Sequence, residues 1–267
     1  MRAAIRIFVV SGLCVLGSAP ARGQQPEQSA QPPVRLVVVD PGHGGSQFGA
    51  VGPTGLREKD LVLNIALKLG AQLRLAGMRV VYTREKDVFL SLAERAEIAN
   101  RARADLYVSL HANSSPDPAA RGSETYFVSL EASDDDARRV AITENEVFRP
   151  EGAAADSGDI ISRILGDLIR TDHMRGSADF AMAIQRELAQ LPTPSRGVKQ
   201  GPFFVLGGVN MAAVLLEVGF VSHGEDEQRF KTAQYQEMIA RAITRGVMNV
   251  ADERRKLRER VARETPQ

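Results

Sequence analysis

The sequence has very little cysteine and few aromatic residues, and neither sign of charge dominates. Cys14 is the single cysteine in 267 residues, tryptophan is absent, and aromatic residues make up 5%. If the N-terminal segment that contains Cys14 is removed on export, the remaining chain has no thiolate ligand. Any metal must then be held by histidines and carboxylates. The net charge of +1 argues against a nucleic-acid footprint. The scarcity of aromatic residues argues against a stacking platform for sugars or bases.

The N-terminal segment has the pattern of a secretory signal peptide. A basic start precedes the apolar run from Ile7 to Leu16, and Ala21 and Gly23 form a small-residue cleavage site. A retained membrane anchor is the alternative, but the run is shorter than the roughly 20 residues that span a bilayer. We therefore interpret residues 1–23 as a signal peptide. The expected protein is periplasmic and has no transmembrane anchor after cleavage.

The segment from Arg35 to Glu58 gives the clearest local signal. The apolar run from Leu36 to Val39, mostly β-branched valine, predicts a buried strand, and the turn from Asp40 to Gly45 ends it abruptly. His43 is thereby predicted on a tight turn at a strand end, where ligand sites of open α/β sheets gather. A phosphate cradle is disfavoured because neither a GxGxxG motif nor a P-loop lysine is present.

Two further strand ends carry polar residues. The segment from Ala104 to Asn113 predicts a buried strand that runs into His111. The apolar run from Ala212 to Leu216 is followed directly by Glu217, and a carboxylate there is costly unless it has a partner. Glu58 precedes an apolar-periodic segment and is predicted near a helix start.

These residue types together indicate a catalytic metal site. Two neutral imidazoles and a carboxylate are a common catalytic zinc set, with positions left open for water and substrate. Zinc would lower the pKa of a bound water to about 7 and would polarise a carbonyl. A second carboxylate, Glu217, suits the task of taking the proton of the water.

The alternation of predicted strands and helices favours an α/β fold. We predict a single three-layer αβα domain with a mostly parallel twisted sheet and a helical insertion. Its predicted parts are a disordered linker at 24–33, a catalytic domain at 34–251 with its insertion at 130–176, and a charged tail at 252–267. The predicted elements include helices at Lys59–Ala76, Ser91–Arg103, Ile160–Ile169 and Phe230–Met248, and strands at Arg79–Thr83 and Gly122–Ser129, the last at a sheet edge.

The charged tail has two interpretations. It is dense in charge and has no clear apolar stripe, so it is either a helical extension or a solvated tail. We favour the solvated tail.

Several motifs in this order carry a family resemblance. They are VVVDPGHGG, GLREKDLVLNIA, VVYTRE, SLAERAEIAN, ADLYVSLHAN, VKQGPFFVL and VLLEVGF. From Val34 to Ala251 the chain resembles the zinc-dependent N-acetylmuramoyl-L-alanine amidases, the bacterial cell-wall family called amidase type 3. The resemblance implies that His43, Glu58 and His111 bind zinc and that Glu217 is the catalytic glutamate. It also implies a peptidoglycan substrate, cleaved at the amide between the lactyl group of N-acetylmuramic acid and L-alanine of the stem peptide.

The insertion resembles a feature of the family members that act in daughter-cell separation. In those proteins a helix plugs the zinc site until a protein activator removes it, and a glutamate followed by asparagine occupies the metal. The match here is Glu144-Asn145. We therefore expect Glu144 to be an autoinhibitory zinc contact, with Glu146 as the alternative if the register differs. The competing interpretation is that Glu144 is a solvated charge on a helix face.

The chain also departs from the family pattern. His223 stands where many relatives have asparagine, and Val218 where threonine is usual. We interpret His223 as a loop residue rather than a fourth ligand. The N-terminal targeting domain of several relatives is not expected here, which puts septal targeting in doubt. A monomeric amidase is expected. The alternatives are another zinc peptidase or amide hydrolase of the envelope and a non-catalytic wall-binding regulator.

Overall fold

The computed structural model describes residues 33–146 and 171–264, so the predicted signal peptide and the predicted helix at 160–169 lie outside the described residues. The strands are β1 (Leu36–Pro41), β2 (Arg79–Tyr82), β3 (Leu106–Asn113), β4 (Ser123–Val128), β5 (Ser195–Gly201) and β6 (Ala212–Phe220). The helices are α1 (Glu58–Leu75), α2 (Leu92–Ala102), α3 (Asp135–Glu146), α4 (Thr171–Leu188), α5 (Phe204–Gly207), α6 (Gly224–Phe230) and α7 (Ala233–Glu264). No helix among these residues is both long enough and apolar enough to cross a membrane.

The strands form one sheet in the order β2-β1-β3-β6-β4-β5. All neighbouring pairs are parallel except β4 and β6, which are antiparallel. The carboxyl ends of β1, β3 and β6 therefore share one edge with the amino ends of β4 and β5. This edge carries the predicted site, and the predicted α/β class with a mostly parallel sheet is confirmed.

Helices cover both faces of the sheet and bury two apolar clusters. Helices α1, α4 and α7 pack on one face, where Val37 and Val39 of β1 point. Helices α2, α3 and α5 pack on the other face with Leu36 and Val38. Burial on both faces explains the continuous apolar runs of the central strands. The predicted three-layer arrangement is confirmed.

Strand β4 does not lie at an edge, so that prediction was wrong. It pairs with β6 on one side and with β5 on the other. Its polar residues suggested a solvated edge, but they are buried because each has a polar partner. Thr125 Oγ1 donates to Gln185 Oε1 of α4 at 2.7 Å, and Arg196 of β5 donates to Glu124 Oε1 at 2.7 Å.

The final helix extends well beyond its predicted end at Met248. Helix α7 continues to Glu264, so the structure favours the helical extension over the solvated tail for most of the segment after Ala251. This stretch has no glycine or proline before Pro266, and alanine, arginine, lysine and glutamate favour helix. Arg255 and Asp252 form an i,i+3 ion pair at 3.1 Å. The side chains there are mostly exposed, which is why no apolar stripe signalled the helix.

Candidate metal centre and active site

His43 lies on the turn that follows β1, as predicted. Its φ of 56° is in the left-handed region, which is uncommon for a residue with a side chain. The turn is held by buried guanidinium groups: Arg95 Nη2 donates to the His43 carbonyl at 2.6 Å, and Arg84 Nη2 donates to the Gly42 carbonyl at 2.7 Å. The His111 ring packs against Gly42, where a Cβ would stand 2.4 Å from His111 Cε1. The glycine therefore allows the two histidines to approach one another.

A buried carboxylate anchors this turn. Asp40 accepts from Arg95 Nη1 at 2.6 Å and from Ser109 Oγ at 2.8 Å. Burial raises the pKa of Asp40, but Arg95 and the hydroxyl groups of Thr83 and Tyr107 lower it more, to about 2. Asp40 is therefore ionised at neutral pH and fixes Arg95, which in turn fixes the His43 carbonyl.

Glu58 is the first residue of α1 and links the two histidines. Its Oε1 accepts from the backbone N–H of Ala112 at 3.0 Å, and its Oε2 accepts from the N–H of Ala50 at 2.8 Å. The same Oε1 lies 3.1 Å from His43 Nε2 and 3.2 Å from His111 Nδ1. The His43 and His111 rings meet edge to face, with centroids 4.9 Å apart.

His43, Glu58, His111 and Glu144 form a group that can hold a metal ion. One ligand atom from each lies within 4.8 Å of the others. His43 Nε2 and His111 Nδ1 are buried, and neither makes a hydrogen bond of good geometry within the described residues. Burial lowers the pKa of His111, but the carboxylates of Glu144 and Glu58 raise it well above its usual value. The negative charge of the two carboxylates, which stabilises a proton on His111, also favours a metal cation at this position. The two imidazoles and the carboxylates therefore fit zinc.

Glu217 lies beside this group on the neighbouring strand. It pairs in register with His111 across β3 and β6, and with Glu124 across β6 and β4. We call His111, Glu217 and Glu124 the polar row. Burial and the Glu144 carboxylate raise the pKa of Glu217 well above its usual value, and its Oε2 has no hydrogen-bond partner within the described residues. A carboxylate in this setting is suited to exchanging protons.

Helix α3 brings Glu144 into the group. Glu144 Oε2 lies 3.0 Å from His111 Nδ1 and 3.6 Å from His43 Nε2. Glu146 is the last residue of α3 and is exposed, so it lies outside the group. The helix is anchored by Asn145, whose side chain donates to the Pro202 carbonyl at 2.7 Å and accepts from the N–H of Phe204 at 3.0 Å.

The space next to the metal group is small. The cavity between the His43 turn and α3 has a volume of about 20 Å³ and is bordered by His43, His111, Glu144 and Asn145 among others. Such a volume holds roughly one water molecule. With α3 seated, the cavity has no room for a sugar or peptide.

The remaining departures from the family pattern are structural. His223 caps α6, where its Nδ1 accepts from the N–H of Asp226 at 3.4 Å, and it is outside the metal group. Val218 is buried in the core. Three residues were not predicted from the sequence: Glu124, which pairs in register with Glu217, and Arg196 and Lys199, which contact Glu124. The lone carboxylate within an alternating strand was the signal that could have indicated Glu124.

Comparisons with known proteins agree with this geometry. The model of the N-acetylmuramoyl-L-alanine amidase family matches residues 37–249. The amidase AmiA of Escherichia coli K12 is 35% identical over 218 residues, which are 80% of this chain and 75% of AmiA. The amidase AmiC of E. coli O6:H1 is 31% identical over 228 residues, which are 84% of this chain and 55% of AmiC.

Two solved structures of similar proteins are structures of amidases as well. The N-acetylmuramoyl-L-alanine amidase of Clostridium difficile 630 superposes with a TM-score of 0.63 at 29% identity, covering 83% of this chain and 98% of that one. For AmiC2 of Nostoc punctiforme the TM-score is 0.59 at 31% identity, with coverages of 80% and 96%. The fold and site are thus those of a cell-wall hydrolase. The chain belongs to the N-acetylmuramoyl-L-alanine amidase family of amidase type 3.

Proposed function

We propose that this chain is an exported, zinc-dependent peptidoglycan amidase that is autoinhibited by α3. It would cleave the amide between N-acetylmuramic acid and the L-alanine of the stem peptide. The observation that carries the proposal is the contact of one helix glutamate with both histidines of the metal group: Glu144 Oε2 is 3.0 Å from His111 Nδ1 and 3.6 Å from His43 Nε2.

Each residue of the site has a separate task in the proposed reaction. His43, Glu58 and His111 would hold zinc, which when bound supplies a polarised water and a Lewis acid for the amide carbonyl. The N–H groups of Ala112 and Ala50 hold both oxygens of Glu58, so its orientation is fixed before substrate binds. Glu217 takes the proton of the attacking water and delivers it to the departing L-alanine nitrogen. Its burial next to His111 supports this role, because a desolvated carboxylate binds a proton more readily and can pass it on.

The proposed inhibition follows from competition for one position. The Glu144 carboxylate occupies the side of the metal group where a substrate carbonyl would bind, and Asn145 fastens the helix to the Pro202–Phe204 backbone. Displacement of α3 by a protein activator would remove the carboxylate and open the small cavity. The substrate would bind only when α3 is displaced. Any change that destabilises the seated position of α3 should therefore raise activity.

The test compares Glu144→Ala with Glu146→Ala in the full mature chain, incubated with zinc and purified sacculi. Mass spectrometry would identify the products. We expect Glu144→Ala to release more stem peptides with a free L-alanine amine, and the control Glu146→Ala to match the parent because Glu146 is outside the group.

Three results would contradict the proposal. Equal release by the two variants would remove Glu144 from an inhibitory role. Products cut at a different bond would indicate another zinc peptidase or amide hydrolase, and a folded, zinc-loaded Glu144→Ala protein that releases nothing would indicate a wall-binding role.

A further inference from the structure

Two basic side chains of β5 lie at the end of the polar row. Arg196 Nε is 2.7 Å and Lys199 Nζ is 3.0 Å from Glu124 Oε1. Glu124 is buried, and its other oxygen accepts from Tyr126 Oη at 2.8 Å and from Asn113 Nδ2 at 3.2 Å. Both oxygens of Glu124 thus have partners, and the carboxylate binds both cations on the strand next to Glu217.

The same two cations also reach helix α3. Arg196 Nη2 lies 2.9 Å from Asp136 Oδ2, and Lys199 Nζ lies 3.2 Å from Asp134 Oδ2. Both aspartates are about half exposed, so water competes with them for the two cations and weakens these ion pairs. If α3 leaves, one buried carboxylate remains against two cations, and the pair carries an excess positive charge beside the site.

We propose that Arg196 and Lys199 form a binding subsite for a carboxylate of the stem peptide, and that Asp134 and Asp136 occupy this subsite while α3 is seated. The inference rests on the proposed function and specifies how that site recognises its substrate. In this arrangement α3 imitates the substrate at two points. Glu144 covers the metal group, and the two aspartates cover the cations.

The position and geometry of the pair suit an acidic peptide. Glu124 pairs in register with Glu217, so the cations lie on the side of the proton-transferring carboxylate that faces away from His111. A peptide whose amide nitrogen receives a proton from Glu217 would continue toward them. The Arg196 guanidinium stacks over the Phe220 ring at 5.4 Å, which restricts its motion. A guanidinium held in this way binds a carboxylate with little loss of conformational entropy.

The competing interpretation is that the two cations only neutralise Glu124. Removing the negative charge of Glu124 separates the two views. If the two cations only neutralise Glu124 and do not contact the peptide, Glu124→Gln leaves the affinity for the peptide unchanged. If they bind a peptide carboxylate, Glu124→Gln frees them from competition, and that carboxylate binds more tightly.

The experiment measures binding by calorimetry, without catalysis. The starting protein is the full mature chain with Asp134→Asn, Asp136→Asn and Glu144→Ala. The probes are a synthetic peptide that begins with L-alanine and has free carboxylates, and the same peptide with carboxamides in their place. We expect the acidic peptide to bind roughly tenfold tighter or more, as charge-assisted hydrogen bonds allow. Adding Glu124→Gln should widen this ratio.

Further variants complete the test. Arg196→Gln and Lys199→Met, added together with Glu124→Gln so that no buried charge is left unpaired, should reduce the ratio to about one. The control is Arg245→Gln, because Arg245 pairs with Glu187 at 2.6 Å on the opposite face of the sheet. It should keep the full ratio.

Four results would overturn the subsite. They are equal binding of the two peptides by the starting protein, a ratio that Glu124→Gln leaves unchanged, a preference that survives loss of both cations, and no binding of either peptide. The proposed function has a separate readout, since the starting protein could still release stem peptides from sacculi.

Discussion

Glu217 shows how a side chain acquires a chemical role from its surroundings. A glutamate on the surface would be ionised and solvated, whereas this one is buried at the end of β6 between His111 and Glu124. The burial penalty falls on the charged form, so its proton affinity rises. Backbone N–H groups of Ala112 and Ala50 bind the Glu58 carboxylate, whereas no N–H group of the described residues binds that of Glu217. This difference separates a candidate ligand from a candidate base.

The exchange Glu217→Gln should separate these two roles. We expect hydrolysis of sacculi to fall by about 10²- to 10⁴-fold, because an amide cannot accept the proton. Zinc content, measured by atomic absorption, should stay the same since Glu217 lies outside the metal group. Near-normal turnover would show that another group acts as the base.

The residues of the site differ in how well the sequence could predict them. His111 and Glu217 directly follow apolar runs, and His43 lies on the turn after one, so the local pattern predicts all three near strand ends. Glu58 precedes a helix and needed the family resemblance to be assigned. Arg95 lies within α2, where no local pattern indicates its partners, and only the tertiary structure brings it to Asp40 and the His43 carbonyl.

At the scale of elements, α3 is held by few apolar contacts and by two specific hydrogen bonds of Asn145. Its apolar contribution to the core is small, consisting of Ala137, Val140 and Ala141. The polar contacts of Asn145 add two hydrogen bonds to backbone that is fixed by β5 and α5. A helix held by few apolar side chains is the kind of element that opens locally while the sheet stays folded.

The exchange Asn145→Ala should loosen this helix without touching the metal group. Losing two hydrogen bonds costs about 1 to 3 kcal/mol, so the open population should rise by about 5- to 150-fold. Hydrogen exchange of the α3 amides should accelerate, and basal release of stem peptides should increase. If α3 exchanges as slowly as in the parent while the protein remains folded, Asn145 is not its anchor.

Strand β4 was wrongly predicted at a sheet edge, because the pattern of a sequence carries only local information. Periodicity reports that polar and apolar residues alternate, but it does not report whether a polar residue meets water or a buried partner. Thr125 and Glu124 meet Gln185 and Arg196, residues more than 50 positions later in the chain. Contacts of this kind depend on the topology of the sheet, which a single sequence did not specify.

At the scale of the whole molecule, the metal group joins separate parts of the chain. His43 follows β1, Glu58 begins α1 and His111 belongs to β3, so three elements converge on one point. A cation bound by all three would stabilise the folded protein relative to the unfolded chain, in which the ligands are far apart. Stability should therefore depend on zinc.

Removing zinc should lower the melting temperature of the full mature chain. At a zinc concentration about 100 times the dissociation constant, the expected stabilisation is about 2.7 kcal/mol. Calorimetry with and without a chelator would measure the shift, and added zinc should reverse it. The control is His111→Ala, whose melting temperature should not respond to the chelator. A chelator effect of equal size in that variant would place the bound metal elsewhere.

The reversed direction of β4 has a consequence for how such a protein could diversify. The ligands come from the parallel strands and α1, whereas the contacts with α3 and the cations come from β4, β5 and the loop after β5. If the proposed inhibition and subsite hold, a mutation in the second set would change which peptide binds, or how strongly α3 inhibits the enzyme, without changing the metal group or Glu217. Catalysis and its regulation would then depend on different residues of the chain and could evolve at different rates.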